Sequence, residues 1–211
     1  LVFNRIFNGS GLDTFYLRLQ ELKKSKKGKV TILHIGDSHL QSDHLTDVVR
    51  KGFQEFFGSA GNAAAFSKTF SVTDEVKNKD SNGVLYQSIG INGARFDTYN
   101  QSASFWQQVE QLKPDLFIIS LGTNDAQTND FNEASFQQQV TLLLNNLKKA
   151  VPAAAVLVTT TADSFKGGNS NRELWNINLS LFGYCSNNNI PVWDMYRVTN
   201  GFGSARNWWK K

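Results

Sequence analysis

The sequence predicts an α/β fold, a three-layer α/β/α sandwich built on a flavodoxin-like parallel sheet of five strands. Three observations predict it. Short apolar runs alternate along the chain with stretches whose apolar residues recur at helical spacing. The runs are apolar almost throughout rather than at every second position, as strands buried on both faces require. Glycine, proline and asparagine mark the changes from one pattern to the other. A length of 211 residues suits one domain, residues 1–211, with room for a substantial core.

The elements follow in order. Leu12, Phe15, Tyr16, Leu19 and Leu22 draw a helical stripe that ends in lysines, favourable to the helix dipole, and Gly28 stops it. Val30 to Ile35 is the first strand. Leu45, Val48, Val49, Phe53, Phe56 and Phe57 define a second helix from about Ser42 to Phe57. Gly58 to Gly83 has no sustained period and reads as a long functional loop holding one short strand near Thr69 to Val72. Val84 to Ile91 is the second strand, and Ser104 to Leu112 the next helix. Asp115 to Leu121 is the third strand. Phe136, Val140, Leu143, Leu144, Leu147 and Val151 mark a helix closed by Pro152, and Ala154 to Thr161 is the fourth strand. Ser170 and Glu173 have capping-box spacing ahead of a helix with Leu174, Ile177, Leu181, Phe182 and Cys185 inside. Ile190 to Tyr196 is the fifth strand, with no final helix expected after it. Right-handed crossovers favour the strand order 2-1-3-4-5.

Composition narrows the functional classes. With 40% hydrophobic and 19% charged residues the chain is not disordered. Much of the net charge of +4 sits in Lys23, Lys24, Lys26, Lys27 and Lys29 and in Lys210 and Lys211, which read as solvated ends. Aromatics are not interleaved with these runs, so no nucleic-acid partner is expected. No apolar run approaches the roughly 20 residues that span a bilayer. The single Cys185 excludes an internal disulfide and a multi-cysteine metal site, and reads as a buried structural thiol. Asn8, Asn100 and Asn178 fit the glycosylation sequon weakly in so asparagine-rich a chain. The absence of an initiating methionine at Leu1 suggests removal of an upstream segment.

In open parallel sheets ligands bind beyond the carboxyl ends of the strands. Three polar, glycine-bearing loops fall there: Gly36-Asp37-Ser38, Asn92-Gly93-Ala94 and Gly122-Thr123-Asn124-Asp125. Each alone is an ordinary turn or helix cap. Together they place a serine at a strand-to-helix corner, where unpaired amides and the helix dipole favour negative charge. A hydroxyl there can attack an acyl carbon while the oxyanion rests on the N–H of Ser38, the N–H of Gly93 and the side-chain amide of Asn124. Asp37 would brace the corner or cap the helix.

In these three blocks the sequence resembles the SGNH/GDSL hydrolase family. Gly36-Asp37-Ser38 matches the nucleophile block, Gly93 the glycine block, and Gly122-Thr123-Asn124-Asp125 the Gly-x-Asn-Asp block. The resemblance implies esterase chemistry through an acyl-enzyme on Ser38, with Ser38, Gly93 and Asn124 as oxyanion donors and no metal or organic cofactor. The longer form IGDSHLQ is similar to members that act on acetylated carbohydrate or peptidoglycan. A small ester or acylated glycan is therefore the expected substrate, acetyl the expected acyl group, and export from a bacterial cell (periplasmic or extracellular) the expected location.

One block departs from the pattern. The family's Asp-x-x-His, which supplies the base, has no match: Asp194 opens Asp-Met-Tyr-Arg, with Arg197 at the histidine position, and no histidine follows. His34 lies in a strand and reads as a core residue. His39 adjoins the serine, but neighbouring side chains diverge. His44 lies up the next helix. The base and its carboxylate are expected beyond Lys211, and the 211-residue chain is expected to turn over poorly, since loss of the histidine alone lowers turnover about 2 × 10⁶-fold in subtilisin. Two other readings stay open: a non-catalytic glycan-binding module of the same fold, in which Trp175, Trp193, Trp208 and Trp209 would stack on sugars, and a nucleotide binder. No phosphate loop follows the first strand to support the latter.

Overall fold

The computed structural model describes residues 4–65, 81–128 and 130–209, so the short strand expected near Thr69 to Val72 lies outside the described residues. In chain order the elements are β1 (Ile6–Phe7), α1 (Asp13–Ser25), β2 (Lys29–Gly36), α2 (Ser38–Gln41), α3 (His44–Phe57), β3 (Ser59–Ala65) and β4 (Gly83–Gly90). Then come α4 (Phe96–Asn100), α5 (Ala103–Leu112), β5 (Leu116–Ser120), α6 (Glu133–Ala150), β6 (Ala155–Thr159), β7 (Phe165–Lys166) and β8 (Asn169–Ser170). The chain continues through α7 (Glu173–Asn187), β9 (Val192–Trp193), α8 (Met195–Val198) and α9 (Ser204–Trp209).

The main sheet has the order β1-β9-β6-β5-β2-β4-β3. All its pairs are parallel except β1 with β9. Without the two edges it reads β9-β6-β5-β2-β4, which is the expected 2-1-3-4-5 order of the five core strands. The edges bring the sheet to seven strands. β1 is only two residues long, and β3 reads Ser-Ala-Gly-Asn-Ala-Ala-Ala, without the bulky apolar residues that announce a buried strand. β7 and β8 form a separate hairpin across Gly167-Gly168, both with positive φ.

Alternation along each strand divides the core between two faces. Val30 and Ile32 of β2, Val84 and Tyr86 of β4 and Leu116 and Ile118 of β5 pack under Leu12, Phe15, Leu19 and Leu22 of the α1 side, joined by Phe53 of α3. Leu33, Ile35, Leu85, Phe117 and Ile119 pack on the opposite face with Tyr99, Val109, Val140, Leu143 and Ile177. Burying this much apolar surface at about 25 cal/mol per Å² is what holds the layers together. Cys185 is among the fully buried core residues, and burial raises its thiol to about 12.

The helix expected from about Ser42 to Phe57 is α3, which starts at His44 after a left-handed Asp43 (φ 53°). Two local expectations are corrected. The capping box at Ser170 and Glu173 does not form: Ser170 pairs in β8, and Asn171 Oδ1 instead accepts from Glu173 N at 3.1 Å. The sheet is followed by the short helix α9, where none was expected; Asp163 Oδ2 accepts from Gly203 N (2.9 Å) and Ala205 N (3.1 Å) at its start.

Candidate active site

β2 ends at Gly36, and the chain turns at once into α2, with Asp37 as its N-cap and Ser38 as its first residue. So tight a corner in the middle of the sheet needs small residues. A Cβ on Gly36 would stand 2.7 Å from Ser120 O and 2.8 Å from Leu40 Cδ1, and one on Gly90 would stand 2.9 Å from Asp37 O. Tyr99, fully buried, clasps the two strand ends from below: its hydroxyl donates to Gly36 O at 2.7 Å and lies 3.0 Å from Ile89 O. Burial leaves the phenol well above its ordinary titration range, with a smaller push from the Asp37 charge and against the opposing effect of the Gly36 backbone.

The three loops meet at Asn124. Its side-chain amide donates to Ala94 O at 3.0 Å, beside Gly93, and lies 3.3 Å from Asp37 Oδ2, beside Ser38. Gly93 sits in the turn closed by Ala94 N to Ile91 O (3.0 Å), is exposed, and has φ +72°. A Cβ there would meet nothing within 4 Å, so its requirement for glycine is conformational rather than steric. Among the described residues the Gly93 N–H has no acceptor. Ser38 is half-buried, and as the first residue of α2 its amide has no intrahelical acceptor. The rim thus gathers a serine, two amides free to donate and one side-chain amide around Asp37.

The histidines divide sharply. His34 is buried in β2, its Nδ1 2.6 Å from Tyr86 OH and its Nε2 2.7 Å from Ser120 Oγ, and burial lowers its pKa to about 3. It is the satisfied core residue the sequence suggested. His39 is exposed, and its Nδ1 lies 2.9 Å from Asp37 Oδ1, which also accepts the His39 backbone N–H at 2.9 Å. The carboxylate raises its pKa. That pairing was missed, because it spans two residues across a cap rather than one turn of helix. His44 opens α3 and is exposed. Among the described residues no histidine nitrogen is bonded to the Ser38 hydroxyl.

Asp194 is buried away from these groups, as the N-cap of α8: its Oδ1 accepts from Thr160 Oγ1 at 3.1 Å and Arg197 N at 3.3 Å. Asp125, next to Asn124, is pushed up to about 7 by burial. The three sequon asparagines use their side-chain amides internally: Asn8 on Ile190 O (3.2 Å), Asn100 on Gln139 O (3.1 Å) and Asn178 on Thr161 O (3.2 Å). Trp175 is exposed and Trp193 half-buried, its indole N–H donating to Asn4 Oδ1 at 3.0 Å. No helix among the described residues is long and apolar enough to cross a membrane.

A parallel sheet between two helical layers, with a serine corner and two polar loops at its carboxyl rim, defines an α/β/α hydrolase class. The chain belongs to the GDSL-like lipase/acylhydrolase family, whose sequence profile matches residues 35–211, and it is an acyl ester hydrolase by that membership. No curated protein sequence matches it. Among solved structures, one described as a peptidoglycan O-acetylesterase in action superposes with a TM-score of 0.79 at 17% identity, over 96% of this chain and 89% of that one. A lipase/acylhydrolase from Enterococcus faecalis gives 0.55 at 16% identity, over 81% and 78% of the two chains. An acetyl-xylooligosaccharide esterase from Geobacillus Stearmophilus, in a mutant form, gives 0.51 at 13% identity, over 77% and 74%. At these identities the likeness is one of fold.

Proposed function

We propose that the chain is a serine ester hydrolase that removes small acyl groups, acetyl above all, from carbohydrate or peptidoglycan through an acyl-enzyme on Ser38. The observation that carries this reading is the Asn124 amide, 3.0 Å from Ala94 O and 3.3 Å from Asp37 Oδ2, which ties the serine corner to the glycine turn. Ser38 Oγ attacks the acyl carbon, its proton passes to a base, and the alcohol leaves after taking that proton; water then releases the acid from Ser38. The developing oxyanion takes donors from the amides of Ser38 and Gly93 and from Asn124, which turns its longer contact with Asp37 toward the substrate. Asp37 holds the corner by capping α2.

The small acyl group and glycan alcohol are supported by the peptidoglycan and xylo-oligosaccharide esterases that share the fold, and by the IGDSHLQ block. Such substrates also support a location outside the cytoplasm. Incubation with p-nitrophenyl acetate, followed by mass spectrometry of the digested chain, tests the nucleophile. One acetyl group on the Ser38 peptide, absent in Ser38→Ala, is the expected result. Equal release of p-nitrophenol by the two proteins would sink the reading. A second reading, a glycan-binding module without turnover, draws on the Ser38 hydroxyl, which has no hydrogen-bond partner among the described residues. Tight binding of an acetylated glycan with no acetate released would establish it instead.

A further inference from the structure

On the sheet face covered by α1 and α3, four polar side chains, three buried and one half-buried, join into one file across four strands. Tyr86 OH lies 2.6 Å from His34 Nδ1, His34 Nε2 2.7 Å from Ser120 Oγ, and Ser120 Oγ 2.9 Å from Thr159 Oγ1. Three of these residues, Tyr86, His34 and Thr159, are at most 3% exposed. The file ends at a cleft of about 360 Å³ whose wall includes Ser120, Thr159, Thr161 and Met195, and whose near side is Asp37 and His39 of the serine corner.

Burial decides which way the file points. His34 is neutral and carries one ring hydrogen. With that hydrogen on Nδ1, Tyr86 OH must accept it, and the phenol's own hydrogen then has no acceptor among the described residues in a fully buried site. With it on Nε2, Tyr86 donates to Nδ1, Nε2–H donates to Ser120, and the Ser120 and Thr159 hydroxyls share a bond in which either can donate. Tyr86 and His34 are then satisfied, and one hydroxyl hydrogen of the Ser120–Thr159 pair is left over at the cleft wall, which both residues line.

We propose that Thr159, held at the end of the Tyr86-His34-Ser120 file, hydrogen-bonds an oxygen of the sugar that carries the acyl group, making this cleft the subsite for the alcohol part of an acylated glycan. The inference rests on the proposed function, because the cleft reaches Asp37 and His39, the two chain neighbours of Ser38. The lining suits a pyranose: the polar Ser120, Thr123 and Thr159 stand with the apolar Leu40 and Met195, and a sugar likewise carries hydroxyls and C–H faces. His34, Ser120 and Tyr86 are positioning residues, acting through Thr159.

The test measures binding, so it does not depend on turnover. In the Ser38→Ala chain, acetylated xylotriose is titrated by calorimetry before and after a second substitution. Thr159→Val is expected to weaken binding about five- to tenfold, and Thr159→Ser, which keeps the hydroxyl, by less than about twofold. Nitrogen NMR of His34 in the otherwise unchanged chain should show the Nε2–H tautomer, and its ring signals should move on adding the sugar but not on adding acetate. An Nδ1–H tautomer, unaltered affinity in Thr159→Val, or no sugar binding would overturn the subsite. Intact hydrolysis in Ser38→Ala with the Thr159 result as expected would remove the nucleophile and leave the subsite standing.

Discussion

At the end of β2 and at the end of β9 the chain makes the same move: a buried aspartate caps a four-residue helix, α2 in one case and α8 in the other. The surroundings differ. Asp194 lies near the sheet's edge, its carboxylate taken up by Thr160, the Arg197 amide and the Arg197 guanidinium (3.3 Å), and Met195 opens the helix. Asp37 lies mid-sheet, shared between His39 and the side-chain amide of Asn124, and a serine opens the helix. Trp193 fits before Asp194, whereas only glycine fits before Asp37, where a Cβ would strike the neighbouring β5 backbone at 2.7 Å. A capped corner is therefore a structural device in itself. It becomes a site where neighbouring loops converge on it and the first helical residue carries a hydroxyl.

The sharpest way to break this comparison is to exchange the residues that open the two helices. Ser38→Ala is expected to abolish the acetyl adduct that p-nitrophenyl acetate leaves on the chain, and adding Met195→Ser to that variant to create none at position 195. An adduct there in the double variant would show that the capped corner alone suffices. Next in size is Gly36→Ala, expected to destabilise the chain by about 2–3 kcal/mol in urea unfolding through overpacking against β5, with lost activity following the moved serine. Asp194→Ala is expected to remove about 2 kcal/mol, more than Asp37→Ala at about 1 kcal/mol, because the edge carboxylate satisfies more buried donors while the central one serves the site. Activity should rank the other way.

The smallest effect concerns pH. Asp125, held near 7 by burial, keeps a proton in the folded chain that the unfolded chain has lost above about pH 4, so stability falls as pH rises across that window. His39, raised by Asp37, contributes stability below its ordinary 6.5 that is lost as pH rises through its folded value. Both lower the melting temperature between pH 5 and 8. Asp125→Asn should flatten that slope in differential scanning fluorimetry, and an unchanged slope would remove Asp125 as its cause.

Much of this was legible in the residues. The five core strands announce themselves as apolar runs, and handedness alone orders them, because β2, β4, β5, β6 and β9 each need cover on both faces. β3 escaped notice because its pairing with β4 is carried by backbone and its residues are small. The short helix α2 was hidden because its four residues, Ser38–Gln41, are too few to show a helical period. At the site, Asp37, Ser38, Gly93 and Asn124 could be chosen from loop position, while their joining through Ala94 O could not. Tyr99 and the Tyr86-His34-Ser120-Thr159 file were invisible for a different reason: their partners lie 10 to 86 residues apart and look like core or turn residues until the strands are laid side by side.

Tyr99 belongs to α4, yet its hydroxyl sits between the last carbonyls of β2 and β4. A single phenol therefore couples the bend that carries Ser38 to the strand that leads into Gly93. Removing that one oxygen would therefore loosen the serine corner and the strand before the glycine turn together, not one at a time.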